Sequence, residues 1–314
     1  MLWENQVLRA FCATHRDTDG LLPSEPKPHR ERMPTRLPLP SAPALPWRPP
    51  LLIKASVACH VGAGLAVAPL PSLWPWALGA IAVNQAVLTA AGLLPRCNWL
   101  GANIRALPAS SAARREVALT FDDGPDPAVT PALLDLLDGF GARATFFCIA
   151  QRARQHPALC RDIVRRGHSV QNHSDRHSLG FALSGLNGFR REIGSAQSAL
   201  ADITGQCPQY FRAPAGLRNP FLSPVLEQLG LRLVSWTRRG FDTVQRRPQR
   251  VIERLNRRLA PGDILVLHDG NSARTSQGVP VVLDQAVAAG RTPSFCERNP
   301  STCAAGVEIW ATFV

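Results

Sequence analysis

The stretch Glu116-Val-Ala-Leu-Thr-Phe-Asp-Asp-Gly-Pro125 is a short apolar run that ends in two carboxylates and a turn. Val117 to Phe121 has the length and apolar content of a buried strand. Gly124 and Pro125 stop it. Thr130 at a cap position and Pro131 in a first turn then open a helix over Pro131–Leu137. The same alternation runs onward. Ala144–Ala150 reads as a strand, and His156–Arg166 as a helix closed by Gly167. His168–Asn172 is a short strand, and Gly188–Thr204 an amphipathic helix ending at Gly205. Gln209–Arg212, Leu231–Trp236 and Ile264–His268 read as strands; Pro220–Leu229, Pro248–Leu259 and Val279–Ala289 read as helices. Strands separated by helices of this length form parallel β/α units. The expected fold class is α/β, with about six or seven units curled into a barrel or distorted barrel over residues 116–290.

Upstream the composition changes. Leu51–Leu70 is apolar except for Lys54, Ser56 and His60, and Leu73–Leu94 carries no charged residue. Each run approaches the roughly 20 residues that cross a bilayer as a helix. Pro69, Pro71 and Pro75 mark a turn between them. The expectation is a helical hairpin over 51–94 that anchors the chain in membrane lipid, because a lone hairpin this apolar needs covering. A buried soluble hairpin is the alternative. Arg30, Arg32, Arg36 and Arg48 precede the hairpin, and Arg96, Arg105, Arg114 and Arg115 follow it. By the positive-inside rule both flanks, and the domain after them, face the cytoplasm. If only the second run spans, the domain faces the other side. Residues 1–50 are rich in Pro, Arg and Ser without apolar periodicity, which reads as a basic disordered tail. They lack the apolar core of a secretory signal at their start, and Met33 is an alternative start. Residues 95–115 read as a linker and 291–314 as an atypical end.

Of 314 residues, 45% are hydrophobic and 18% charged, which excludes wholesale disorder. Thirty-five Lys and Arg against 23 acids give a net charge of +12. That balance suits nucleic acid, anionic lipid or an acidic glycan. Aromatics are only 6%, and no RNA-binding aromatic motif, zinc finger or basic zipper is present, so no nucleic-acid partner is expected. No obligate protein partner is indicated. None of the eight cysteines forms a C-x-x-C pair, which argues against a zinc ribbon or a thioredoxin-like site. Cys296 and Cys303 are close enough in sequence to pair, and free thiols fit equally well.

The polar residues of chemical interest stand just after the strands, where β/α barrels build their sites. Asp122 and Asp123 end the first strand. Adjacent carboxylates can divide labour, one holding a metal while the other stays free as a base; as a bare sequence, Asp-Asp-Gly-Pro is also an ordinary turn. The third strand runs into Asn172-His-Ser-Asp-Arg-His177. His173 and His177 are four apart, so one helical turn would aim both imidazoles at one point and, with a carboxylate, complete a His-His-Asp triad. A solvated polar loop would look the same. Phe211-Arg-Ala-Pro-Ala-Gly216, then Trp236 and Asp242, then Leu265-Val-Leu-His-Asp269 follow at later strand ends. Individually Arg212 reads as a surface cation, Asp242 as a helix cap and His268 as a core histidine. Their common position at strand ends favours a kit for metal-assisted hydrolysis.

Taken in order, Thr-Phe-Asp-Asp-Gly-Pro, His-Ser-x-x-His, Arg-x-Pro, the later Asp and Leu-x-Leu-His-Asp resemble the polysaccharide deacetylases of the NodB-homology, carbohydrate esterase family 4 type. The resemblance covers about Glu116 to Ala289. It implies a distorted (β/α) barrel, a divalent metal and hydrolysis of N-acetyl groups on amino sugars. Zinc is the first expectation, with Co2+, Ni2+ or Mn2+ as alternatives. It also implies roles: Asp123, His173 and His177 as metal ligands, Asp122 as general base and Arg212 as its orienting cation. His268 becomes the general acid, tuned by Asp242. Pro214, Ala215, Trp236 and Leu267 fall where the family receives its substrate, with the Ala215 N–H facing the oxyanion.

Two departures stand out. The family pattern has an aromatic after the proline where this chain has Ala215, and a Trp after the later Asp where it has Thr243. Arg291-Thr-Pro-Ser-Phe-Cys-Glu-Arg-Asn-Pro300 also does not resemble the expected final strand; Val307–Val314 is one candidate for it, and a frameshifted end is the other reading. The expected protein is a membrane-associated, metal-dependent deacetylase of an N-acetylated polysaccharide, oligosaccharide or glycolipid. Rival readings are a deacylase of a lipid-linked sugar and a catalytically silent glycan- or metal-binding module.

Overall fold

A computed structural model describes residues 47–270, except 246, and the strand Thr292–Ser294. The helices are α1 (Leu51–Val67), α2 (Trp74–Leu93), α3 (Ala109–Ala113), α4 (Thr130–Gly139), α5 (Ala150–Gln155), α6 (Pro157–Arg165), α7 (Leu186–Thr204), α8 (Leu222–Gln228) and α9 (Pro248–Asn256). The strands are β1 (Glu116–Asp122), β2 (Thr145–Cys148), β3 (Ser169–Asn172), β4 (Tyr210–Phe211), β5 (Arg232–Leu233), β6 (Arg238–Arg239), β7 (Ile264–His268) and β8 (Thr292–Ser294). They pair in the order β5-β4-β3-β2-β1-β7-β6, with β8 on β1, and every ladder is parallel. This is the curled β/α sheet expected from the alternation, with the helical hairpin before it.

Strand β1 is buried along its whole length, so its period of two separates two cores rather than core from solvent. Val117, Leu119 and Phe121 join Leu133, Leu134 and Leu137 of α4, and Leu265 and Leu267 of β7. Ala118 joins Phe147, Tyr210, Trp236, Ile264 and Val266 inside the curl. Removing a side chain such as Leu133, fully buried in the outer core, would cost about 2–5 kcal/mol. Helix α7 stops where Gly205 adopts a left-handed φ of 73°, a cap that a Cβ would strain.

Three details differ from the sequence reading. The run Leu231–Trp236 is not one strand: β5 pairs with β4, Ile104 bridges Val234, and from Thr237 the chain pairs with β7. One extended segment thus crosses the curl, because its partners change along its length. Ala150 starts α5 instead of ending a strand. Its first amides bond to the carbonyls of Gly124, Ser174 and Asp175, partners supplied only by the fold. And β8 lies within the 291–300 stretch that the pattern left unassigned. The expected helix Val279–Ala289, the tail 1–46, Cys296, Cys303 and Val307–Val314 lie outside the described residues.

The hairpin is two packed apolar helices. Pro71–Leu93 is long and apolar enough to cross a membrane, while α1 has 17 residues, at the lower limit for a span. Leu51, Val61, Leu65, Trp74, Trp76 and Val83 are exposed. The polar residues gather on the seam: Asn84 Nδ2 donates to Ser56 Oγ at 3.0 Å, and Gln85 Nε2 lies 3.4 Å from His60 Nε2. The hairpin base rests on the β/α unit, where Arg218 N donates to Gly92 O. The stretch read as a linker packs too: Leu100 and Leu107 are buried, and Ser223 Oγ donates to Leu100 O.

Candidate active site

Asp122, Asp123, His173, His177, Ala215, Gly216, Trp236, Arg239, Thr243, Val266 and His268 line one pocket at the strand ends. Asp122 ends β1 directly opposite His268 of β7 in the parallel register, so pairing alone brings these two together. Asp123 is the next residue, with a φ of 74°. Ser174, His177, Ala215 and Phe241 also hold positive φ values at or beside the pocket. Each such non-glycine conformation costs of order 1–3 kcal/mol, and its clustering here marks a site that the surrounding structure over-determines.

The Asp123, His173 and His177 ligand atoms lie within 4.8 Å of one another. Asp123 Oδ1 is 3.4 Å from His173 Nε2 and 3.3 Å from His177 Nε2. It is buried and has no hydrogen-bond partner among the described residues. His173 Nδ1 lies 2.8 Å from the Arg212 carbonyl and donates to it, which leaves Nε2 with its lone pair toward Asp123. Two imidazole nitrogens and an orphaned carboxylate oxygen, converging in this way, fit a divalent metal. Burial opposes the charge of Asp123, but the close approach of His173 and the charges of His173, His177 and His268 hold its carboxyl well below the usual range. Burial and then the His173 charge push His177 down, toward the neutral form a ligand needs.

Behind this trio stands Arg212, fully buried. Its Nη1 donates to Asp122 Oδ1 at 2.6 Å and to Thr120 Oγ1 at 2.7 Å, and its Nη2 to Ser235 O at 3.1 Å. Its guanidinium lies 4.0 Å from the centroid of the Phe147 ring. Breaking such a buried pair costs about 3–5 kcal/mol, since one charge is left uncompensated. On the other side, Asp242 grips His268 twice: Oδ1 lies 2.8 Å from the ring Nδ1, and Oδ2 accepts from the backbone N–H at 2.8 Å. Burial depresses the His268 pKa, but Asp242 outweighs it and the net direction is upward.

The substrate-side residues fare differently. Ala215 and Trp236 line the pocket, whereas Pro214 is buried and does not line it. Leu267 points into the outer core with Leu119 and Leu133. Because His268 faces the pocket, the period of two puts Val266 there and Leu267 opposite; the strand alternation contained that signal. Arg239 was not singled out from the sequence, and only the split between β5 and β6 brings it to the pocket. Asp269, the last residue of the Leu-x-Leu-His-Asp stretch, is a further fully buried carboxylate beside the site. It accepts from Thr130 Oγ1 at 2.7 Å, and a Cβ on Gly124 would strike its carboxylate. Burial, against the Thr130 hydrogen bond, pushes its pKa up to about 7.

A pocket of this make, at the ends of a curled parallel sheet, belongs to the class of β/α hydrolases. Residues 109–234 match the family described as polysaccharide deacetylase. Over 155 residues the chain is 36% identical to a chitooligosaccharide deacetylase of Azorhizobium caulinodans, covering 49% of this chain and 73% of that protein. It is 32% identical over 161 residues to a peptidoglycan-N-acetylglucosamine deacetylase of Bacillus cereus, covering 51% and 75%. A family 4 carbohydrate esterase from Streptomyces lividans, solved with acetate, superposes with a TM-score of 0.56 at 30% identity, covering 63% of this chain and 98% of that one. The chain belongs to the polysaccharide deacetylase family.

Proposed function

We propose that this protein hydrolyses the N-acetyl group of an amino sugar in a glycan, releasing acetate and leaving a free amine. The observation that carries the reading is one pocket holding the Asp123–His173–His177 trio, the Arg212-paired Asp122 and the Asp242-paired His268. A divalent metal held by Asp123, His173 and His177, zinc by the nature of the donors, would supply the Lewis acidity that makes an amide carbonyl attackable. Asp122, oriented through Oδ1 by Arg212, takes the proton of the attacking water. The Ala215 N–H donates to the developing oxyanion. His268 Nε2 gives its proton to the departing nitrogen, since an unprotonated amine is a poor leaving group. Asp242 holds Nδ1 and favours the charged imidazolium beforehand.

The hairpin 51–94 anchors this domain in lipid, supported by the exposed apolar faces of α1 and α2. The basic residues flanking it favour a cytoplasmic domain. The contact of its base with the loop before α8 favours, as a second reading, an amino sugar carried on a membrane lipid. Deacetylation by the full chain is to be measured on soluble N-acetylated oligosaccharides and on glycolipids, with and without chelator. Chelator-sensitive acetate release is expected. Release that survives exhaustive chelation would exclude the metal-assisted route, and no release from any N-acetylated sugar would exclude the function. Full-length protein should also stay in the membrane fraction through a high-salt wash; solubility at low salt without detergent would remove the anchor.

A further inference from the structure

Arg239 lies in the wall of the pocket with Trp236 and Thr243. Its guanidinium carbon is 5.3 Å from the Trp236 ring centroid and 5.0 Å from that of Phe241. Its Nε is buried without a hydrogen-bond partner among the described residues. The neighbouring carboxylates are already engaged: Asp122 with Arg212, Asp123 with the two histidines, and Asp242 with His268. Arg238, one residue earlier on the same strand, is paired with Asp263 at 2.5 Å. A second cation, Arg254, stands 5.2 Å from the Phe241 ring. Aromatic faces stabilise a guanidinium but leave its five N–H donors unused.

We infer that Arg239 reads a negative charge on the substrate, so that the amino sugar accepted here carries a phosphate ester or a carboxylate. Both offer the pair of oxygens that a planar guanidinium fork binds. Thr243 leaves room at this wall, being a small residue beside the cation. The inference rests on the deacetylase reading above and concerns only which sugars that site prefers.

The test compares kcat/KM of the full chain for three N-acetylated probes: N-acetylglucosamine 1-phosphate, N-acetylmuramic acid and neutral N,N′-diacetylchitobiose. A charge-assisted hydrogen bond is worth about 1.5–3 kcal/mol, so an anionic probe should be preferred roughly 10- to 100-fold, mainly through KM. The first two probes distinguish phosphate from carboxylate. The preference should shrink as salt rises. In Arg239→Gln the ratio of anionic to neutral turnover should fall toward one, and Arg239→Lys should keep part of it. Because the readout is a ratio, a general loss from disturbed packing cancels. A wild-type ratio near one, or a ratio unchanged in Arg239→Gln, overturns the inference while leaving the deacetylase function standing. If Arg239→Gln does not fold, the wild-type ratio, its salt dependence and the Arg239→Lys ratio decide. Turnover of none of the three probes, or of any other N-acetylated sugar, would instead overturn the underlying function.

Discussion

The wall of the pocket made by β1–β3 and the wall made by β4–β7 hold their side chains by different means. In the first, the loops carrying Asp123 and His173 are tied to each other by the opening amides of α5, and His173 is aimed by the Arg212 carbonyl. Polar atoms there converge on one point. In the second, Arg212 is held as firmly behind the pocket, and among the described residues that line it His268 is gripped by Asp242. Beside it stand Ala215, Gly216, Val266, Thr243 and the Arg239 guanidinium on aromatic faces that include Trp236. The chemistry of the reaction constrains the first wall, because a metal and a base tolerate little displacement. On the proposed function the second wall would meet the sugar, with Arg239 as the group that reads its charge.

Five substitutions sharpen or break this contrast. The largest loss is expected for His173→Ala and Asp123→Asn, which should lower metal content and activity together, activity on the order of 10³-fold, since Lewis-acid assistance contributes several kcal/mol. Stoichiometric metal retained in both variants, measured by elemental analysis, would show that the first wall is not a metal site. Asp122→Asn comes next: metal retained, turnover reduced about 10²-fold or more. Loss of metal here, with retention in Asp123→Asn, would exchange the two carboxylates. His268→Ala should retain metal and lose about 10²-fold on N-acetyl substrates. An activated acetate ester leaves without protonation and should suffer far less; equal losses on both would deny His268 the acid role.

The smallest effect is on pH. Asp242 raises the pKa of His268 against the effect of burial, so the acid form persists to higher pH in the wild type. Asp242→Asn removes that charge, lowers the His268 pKa and should shift the alkaline limb of the pH–rate profile downward. An unshifted limb in an active variant would separate Asp242 from the mechanism and leave His268 in it.

The strand ends, the hairpin and the order of the polar motifs were legible in the sequence because each is a local pattern. A fully apolar run bounded by Asp-Asp-Gly-Pro or two apolar helices need no distant partner to be recognised. His173 and His177, by contrast, converge from a loop with positive φ at Ser174 and His177, not from the helical turn that their spacing of four suggests. Leu267 was misplaced although β7 itself was read correctly. A strand buried on both sides shows no polar alternation, so which residues face the pocket is visible only by counting back from His268. Asp269 ends the Leu-x-Leu-His-Asp motif, but its contact with Thr130 and Gly124 has no local signal, and Arg239 has none either.

What the sequence alone determined is therefore the repeated β/α alternation and the residue types available for chemistry, since hydrophobic period and turn residues act over short range. Tertiary structure decided which of those residues meet. The parallel register sets Asp122 beside His268, the amides of α5 bind the loops of β1 and β3, and the segment from Val234 to Thr237 crosses the curl to deliver Arg239. Those encounters depend on pairing across dozens of residues, where the partner of each backbone group is chosen by the whole fold and not by its neighbours in the chain.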